Sequence, residues 1–141
     1  MTPAQVVLVQ QSFTKVQPIA DRAADLFYDR LFATAPAVRP LFPDDMSDQK
    51  RKLMKMLATA VANLHQVEKI LPIIEDLGRK HVQYGAKPEH FDTVGDALLW
   101  TLEQGLGEAF TPAVKEAWAA TYATIANTMK GAAAESGPRI S

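Results

Sequence analysis

The stretch that decides the fold is residues 70–84, Ile-Leu-Pro-Ile-Ile-Glu-Asp-Leu-Gly-Arg-Lys-His-Val-Gln-Tyr. Its apolar side chains recur at the spacing of one face of an amphipathic helix, at Ile70, Ile74, Leu77 and Tyr84. His81 lies in the middle of that apolar stripe. A histidine in such a place is either a buried side chain satisfied by a backbone carbonyl or the ligand of a metal.

Helical spacing continues on both sides of this stretch, and most of the nine prolines fall where the spacing breaks. In the first half of the chain, the predicted helices run from Thr2-Pro3 towards Gln17, from Asp21 to about Ala33, over 37–42 as a short turn, and from a cap at Ser47 or Asp48 through Leu64. In the second half, they run along the histidine stripe to Gly85, from Lys87-Pro88 to near Gly105 and Gly107, and from Thr111-Pro112 through Met129. Strand patterns and Asn-Gly or Asp-Gly turns are missing from the sequence. Six or seven helices in one all-α domain are therefore expected, followed by a flexible tail over 131–141.

Composition limits the classes of function. The chain has 141 residues, of which 48% are hydrophobic, and its 15 basic and 16 acidic residues give a net charge of −1. This balance argues against nucleic acid and membrane surfaces as partners, because such proteins carry a basic excess. The absence of cysteine excludes thiol catalysis, disulfides, iron–sulfur clusters and thiolate-bound zinc. Neither a signal peptide nor an apolar stretch of membrane-spanning length is visible, so a cytoplasmic location is expected.

Histidine spacing limits any metal site further. His65 and His90 lie 16 and 9 residues from His81, so no pair has the i, i+4 spacing of two ligands on one helix. A metal held by histidines alone is therefore disfavoured. Haem iron brings four nitrogens of its own and needs one axial imidazole, which a single histidine can supply.

Two other polar residues lie on apolar faces. Gln49 precedes Leu53 by about one helical turn, which places an amide on the apolar face of its helix, unless it faces solvent in the first turn. Tyr28 lies among aromatic and aliphatic neighbours, either as a core tyrosine whose hydroxyl reaches a rim or as a polar group in a pocket. The basic run at residues 50–55 is typical of a solvated helix face.

Several segments together resemble the globin family. They are Phe-Tyr-Asp-Arg-Leu-Phe-Ala-Thr-Ala-Pro-Ala-Val-Arg-Pro-Leu-Phe at 27–42, Asp-Gln-Lys-Arg-Lys-Leu-Met at 48–54, Leu-Gly-Arg-Lys-His at 77–81, Val-Gly at 94–95 and Phe-Thr-Pro at 110–112. The resemblance is to single-domain bacterial haemoglobins, and the segments are also similar to neuroglobins and to the globin part of flavohaemoglobins. It covers about residues 4–130 and implies a globin fold of six to eight helices around haem b.

The resemblance also implies roles for ten residues. His81 would be the iron ligand and Phe42 would pack on the haem face. Gln49 and Tyr28 would be hydrogen-bond donors on the distal side. The remaining lining residues would be Leu53, Leu77, Phe91, Val94 and Leu98, with Lys52 at the haem edge near a propionate.

Two departures from the relatives modify this expectation. Neuroglobins have a distal histidine that closes onto the iron, whereas Gln49 is a much poorer ligand, so the ferrous iron is expected to be pentacoordinate. Lys52 would coordinate only when deprotonated, which is disfavoured. Flavohaemoglobins use a tyrosine and a glutamate around the proximal histidine, and the matching residues here are Phe91 and Ala133. This replacement disfavours peroxidase-like cleavage of the O–O bond.

Three functions are compatible with these observations. The leading one is reversible binding of dioxygen, and of nitric oxide and carbon monoxide, by an oxygen carrier, store or sensor. The second is an enzyme, a nitric oxide dioxygenase or nitrite reductase, working with a separate reductase. The third is a helical interaction module without a cofactor, in which His81, Gln49 and Tyr28 are core residues.

Overall fold

The computed structural model describes residues 2–83, 85, 87 and 89–136, except the side chains of 82, 83 and 133–136. The α-helices are α1 (Pro3–Val16), α2 (Ala20–Thr34), α3 (Ser47–Ala62), α4 (Leu71–Gln83), α5 (His90–Leu106) and α6 (Pro112–Ser136). Short 3-10 helices occupy Gln17–Ile19, Pro36–Leu41, Leu64–Lys69 and Gly107–Ala109. The predicted all-α fold is confirmed, since no strand occurs in the described part of the chain.

Helix starts were only partly predictable from cap residues. Thr2 caps α1 as predicted, in a reciprocal pair in which Thr2 Oγ1 accepts from the Gln5 N–H at 3.1 Å and Gln5 Oε1 accepts from the Thr2 N–H at 2.9 Å. The predicted cap of α3 at Ser47 or Asp48 is wrong. Asp45 supplies the acceptor instead, because its Oδ1 accepts from the Ser47 N–H at 3.0 Å.

The last helix is longer than the sequence predicts. It continues through Gly131 to Ser136, whereas the flexible tail was expected to begin at residue 131. Consecutive alanines follow Gly131, and alanine is the strongest helix former, which explains the extension. Residues 137–141 of the expected tail lie outside the described residues.

Two groups of buried side chains hold the helices together. The larger group joins α1, α2, α5 and α6, and a hydrogen bond of 2.8 Å from Trp118 Nε1 to Ser12 Oγ links α1 to α6 inside it. The smaller group joins the end of α3 and the start of α4 to α6 and consists of Ala60, Ile70, Ile74, Ile125 and Met129. Helix α4, which carries His81, is therefore attached to the rest of the molecule mainly through α6.

Gly78 allows α4 to approach α6 closely. A Cβ atom at this position would lie 2.5 Å from the carbonyl oxygen of Met129 and 2.8 Å from its Cα. Backbone atoms cannot move aside as a flexible side chain can, so any residue larger than glycine must separate the two helices. Because Gly78 lies one turn before His81, this contact sets how far His81 stands from α6.

The Gly78→Ala variant is therefore expected to lose about 1–3 kcal/mol of the free energy of unfolding through overpacking. The matched control is Gly131→Ala in α6, where a Cβ would meet nothing within 4 Å. There alanine is expected to stabilise the helix by up to about 1 kcal/mol. Urea unfolding followed by circular dichroism measures both values. Equal effects in the two variants would show that the close approach at Gly78 carries no strain.

None of the described helices combines the length and apolar composition that crossing a bilayer requires.

Candidate functional site

A cavity of about 240 Å³ opens between α2, the Pro36–Leu41 turn, α3, α4, α5 and α6. Most of the side chains around it are aliphatic or aromatic. All ten residues singled out from the sequence line this one cavity, namely Tyr28, Phe42, Gln49, Lys52, Leu53, Leu77, His81, Phe91, Val94 and Leu98. Five separate segments thus bring the predicted residues to one place.

Tyr28 and Gln49 form a hydrogen-bonded pair in the cavity wall. Gln49 Nε2 donates to the Tyr28 hydroxyl oxygen at 3.2 Å, across the contact between α3 and α2. The Gln49 amide is therefore turned towards a neighbouring side chain, contrary to the alternative that it faces solvent. The Tyr28 oxygen accepts this hydrogen bond, so the bond does not use the hydroxyl proton. Tyr28 can still donate that proton to another group.

Burial keeps the Tyr28 hydroxyl protonated. Only 4% of Tyr28 is exposed, and its ring contacts those of Phe27 and Phe42 at centroid distances of 4.9 and 5.7 Å. Desolvation raises the pKa of Tyr28 above its ordinary value of 10.0, and the hydrogen bond from Gln49 offsets this increase only in part. Tyr28 is therefore a hydrogen-bond donor at neutral pH.

His81 reaches the same cavity from α4. Its Nδ1 lies 2.5 Å from the carbonyl oxygen of Leu77, one turn earlier in the helix. A carbonyl can only accept a hydrogen bond, so Nδ1 carries a proton, and in the neutral ring the lone pair is then on Nε2. The carbonyl contact expected for a buried histidine is thus present, and it leaves the ring in the tautomer that coordinates a metal through Nε2.

The basic run of α3 is partly paired with carboxylates. Lys50 Nζ lies 2.8 Å from Asp25 Oδ1 on α2, and Arg51 pairs with Asp48 in its own helix. The Lys50–Asp25 pair joins the same two helices as the Gln49–Tyr28 hydrogen bond, one residue away on α3. Lys52 lines the cavity and is exposed, so it lies where the cavity meets solvent.

Sequence reasoning missed the contribution of α6 to the cavity. The missed residues share one face of that helix and are Trp118, Thr121, Tyr122, Ile125, Ala126 and Met129. Trp118, Ile125 and Met129 recur at helical spacing in the sequence, and Tyr122 lies within the same helical period, so the periodicity alone could have placed them on one face. His90, at the start of α5, also lines the cavity.

Tyr122 fixes the start of α5 in the cavity wall. Its hydroxyl donates to the carbonyl oxygen of Phe91 at 2.6 Å, and its ring occupies the space that a Cβ on Gly95 would need, since Cε2 would be 2.7 Å away. Burial, and secondarily the carboxylates of Asp92 and Asp96, raise the pKa of Tyr122 far above its ordinary value. The hydroxyl therefore remains a donor and holds Phe91 in place.

Tyr84 and Pro88, both named in the sequence analysis, lie outside the described residues, and so does the side chain of Ala133.

The side chains around the cavity offer a metal ion one protein ligand, His81. Among the described residues, no three His, Cys, Asp or Glu side chains converge as they would to hold a metal ion. A metal at His81 would then take its other ligands from an organic cofactor. The apolar walls suit a flat aromatic group, and Tyr28 and Gln49 add donor groups to the same enclosure.

The chain is similar to several known proteins. A family model described as Globin matches residues 25–129. A flavohemoprotein of Bacillus subtilis is 31% identical over 131 residues, which are 89% of this chain and 32% of that protein. A flavohemoprotein of Rhizobium meliloti is 29% identical over 112 residues, 77% of this chain and 28% of that protein. The chain therefore spans about a third of the length of these curated relatives.

Among solved structures, the fold is similar to that of a bacterial globin from Campylobacter jejuni. The TM-score is 0.85 at 23% sequence identity, and the match covers 95% of this chain and 97% of that one.

Proposed function

The chain belongs to the globin family, whose members bind diatomic gases through haem, and on this premise we propose that it binds dioxygen reversibly at haem b held by His81. The observation that carries the proposal is the arrangement of the cavity. One imidazole with Nδ1 bound to a carbonyl and one buried phenol with a proton to donate line the same apolar space. When bound, haem supplies an iron that takes an imidazole and one small ligand from solution.

The cavity residues fit haem in three ways. His81 offers Nε2 in the coordinating tautomer, and its hydrogen bond to Leu77 orients the ring. Phe42, Leu53, Leu77, Phe91, Val94 and Leu98 supply the apolar walls. Lys52 lies where the cavity meets solvent, so its ammonium group is suited to pair with a carboxylate at the edge of the cofactor.

Tyr28 and Gln49 would make the cavity retain dioxygen. Dioxygen bound beside Tyr28 would carry partial negative charge, and the Tyr28 hydroxyl would donate its proton to it in an apolar enclosure, where such a hydrogen bond is strong. The Gln49 amide polarises the hydroxyl and keeps its oxygen in place, so the donor is oriented before a ligand arrives.

We further propose that ferrous iron stays pentacoordinate until a gas binds. Gln49 occupies the distal position with an amide, which is a poor iron ligand and is already hydrogen-bonded to Tyr28. The exposed ammonium group of Lys52 would have to lose its proton to coordinate. Carbon monoxide and nitric oxide would enter the same position.

The test of the proposal is an absorption titration of the purified protein with haemin. We expect one haem per chain, a strong band near the violet, and a shift of that band when the reduced protein meets carbon monoxide. Oxygenation that reverses under argon would establish reversible binding. Failure of the chain to take up haemin would overturn the proposal and leave the cofactor-free interaction module.

A second function is favoured by the similarity to flavohemoproteins, a name that states both a flavin and haem. Nitric oxide, dioxygen and one electron together give nitrate, and the same pocket would hold the dioxygen. The electron would come from a separate reductase. Steady conversion of nitric oxide to nitrate in the presence of a flavin reductase would support this role, and a single turnover only would exclude it.

A further inference from the structure

Arg39 binds the segment that leads into α3. In the Pro36–Leu41 turn, Arg39 Nη1 donates to the carbonyl oxygens of Phe42 at 3.3 Å and Pro43 at 3.0 Å, and Nη2 donates to that of Asp44 at 3.3 Å. The Phe42 N–H in turn donates to the carbonyl oxygen of Arg39 at 3.1 Å. The side chain and the backbone of Arg39 thus both hold the beginning of the segment 42–46.

The guanidinium group of Arg39 also covers an aromatic cluster. It lies over the Phe32 ring, 5.0 Å from its centroid. The Phe32 ring contacts those of Phe42 and Tyr28 at centroid distances of 5.4 and 5.8 Å, and Phe42 contacts Tyr28 at 5.7 Å. Arg39 itself does not line the cavity. Its guanidinium group therefore packs on the side of this aromatic cluster that faces away from the cavity, whereas Tyr28 lies on the cavity side.

The segment 42–46 also determines where α3 begins. It is only five residues long, α3 starts at Ser47, and Gln49 lies in the first turn of that helix. The hydrogen bond from Gln49 to Tyr28 is 3.2 Å long, at the upper end of the usual range, so a small displacement of this turn would break it. Release of the three carbonyls would therefore affect Phe42, the start of α3 and the Gln49–Tyr28 bond together.

We propose that Arg39 is a positioning residue that fixes the Tyr28 hydroxyl towards the cavity and so controls how long a gas ligand is retained. It acts through two routes, the packing of Phe32 and Phe42 on the Tyr28 ring and the tethering of 42–46, which places Gln49. The inference rests on the proposed function, because it concerns the donor pair of that site.

The experiment uses the haem-containing protein and the variant Arg39→Met, which keeps an unbranched stem over Phe32 but removes the donors. Its matched control is Arg30→Met, since Arg30 on α2 stacks on Trp100 at the same 5.0 Å and neither residue lines the cavity. We expect the oxygen dissociation rate to rise about threefold to tenfold in Arg39→Met and less than about twofold in Arg30→Met.

Two further readouts separate positioning from general loosening of the fold. Hydrogen exchange of the backbone amides in 42–47 should accelerate in Arg39→Met while that of α1 and α6 stays unchanged. The infrared C–O stretching band of the carbon monoxide complex should broaden or split, because this band reports the field of the Tyr28 hydroxyl. Neither change is expected in Arg30→Met.

A Tyr28→Phe background decides whether the effect passes through the donor. If it does, Arg39→Met changes the oxygen dissociation rate by less than about twofold once the hydroxyl is gone. The same increase with and without the hydroxyl would overturn the inference, and so would an unchanged rate in Arg39→Met alone. If Tyr28→Phe itself has no effect, the donor role in the proposed function fails, and this inference fails with it.

Discussion

The His81→Gly variant is expected to lose haem on gel filtration, and free imidazole is expected to restore binding. His81 lines the cavity, and its Nδ1 is hydrogen-bonded to the Leu77 carbonyl, which directs Nε2 to be the coordinating nitrogen. Loss of its coordination should remove roughly 3–4 kcal/mol of binding free energy, which corresponds to a weakening of about a hundredfold to a thousandfold. The ratio of haem absorbance to protein absorbance after filtration measures the effect. Imidazole fills the space left by the side chain and supplies the missing nitrogen.

The matched control for this variant is His65→Gly. His65 lies in the 3-10 helix Leu64–Lys69 and does not line the cavity, so the same substitution should leave haem in place. Retention of haem by His81→Gly at the level of the unaltered protein would refute the assignment. Rescue of the control by imidazole is not expected, because nothing in it needs rescue.

The Tyr28→Phe variant is expected to release oxygen about tenfold to a hundredfold faster than the unaltered protein. A hydrogen bond to a charged or strongly polar group is worth about 1.5–3 kcal/mol, and every 1.4 kcal/mol is about a factor of ten in rate or affinity. Phenylalanine retains the ring contacts with Phe27 and Phe42, so the effect isolates the hydroxyl. Flash photolysis or stopped-flow mixing measures the dissociation rate, and an unchanged rate would refute the donor role.

Gln49→Leu supplies the comparison within the pair. Because Gln49 donates to Tyr28, it acts on the ligand through the orientation of that hydroxyl, and its loss should raise the oxygen dissociation rate less, by about threefold. A larger increase of the oxygen dissociation rate in Gln49→Leu than in Tyr28→Phe would show that Gln49, and not Tyr28, is the main donor to the ligand.

The oxygen dissociation rate of the unaltered protein should also be independent of pH from about 6 to 9, since burial raises the pKa of Tyr28 and keeps its proton bound over that range.

Helices and their apolar faces could be predicted from the sequence because both depend on neighbours in the chain. The reciprocal cap of Thr2 with Gln5 is such a local feature. The residues expected around His81 also meet in one cavity, since the resemblance to globins supplied the three-dimensional arrangement that periodicity cannot give. Their roles in binding remain predictions.

Other features depend on contacts that helical periodicity does not encode. The close approach at Gly78 depends on the backbone of Met129, and the donor in Gln49 is directed by Tyr28. Arg39 reads as one more charge in the sequence, although its guanidinium group binds three carbonyls and an aromatic ring. The cap of α3 was misplaced because the acceptor, Asp45, precedes even the N-cap residue, Met46.

Under the proposed function, the division of the interior into a large and a small group of buried side chains would make the stability of the fold depend on bound haem. Helix α4 is joined to the molecule through the small group and α6, and it carries the residue that we propose holds haem. A ligand that binds only the folded chain stabilises it by about 4 kcal/mol when present at a thousand times its Kd. Under the proposed function, the amount of intact protein in a cell would therefore rise and fall with haem synthesis, because cofactor-poor chains would be the ones that proteases remove.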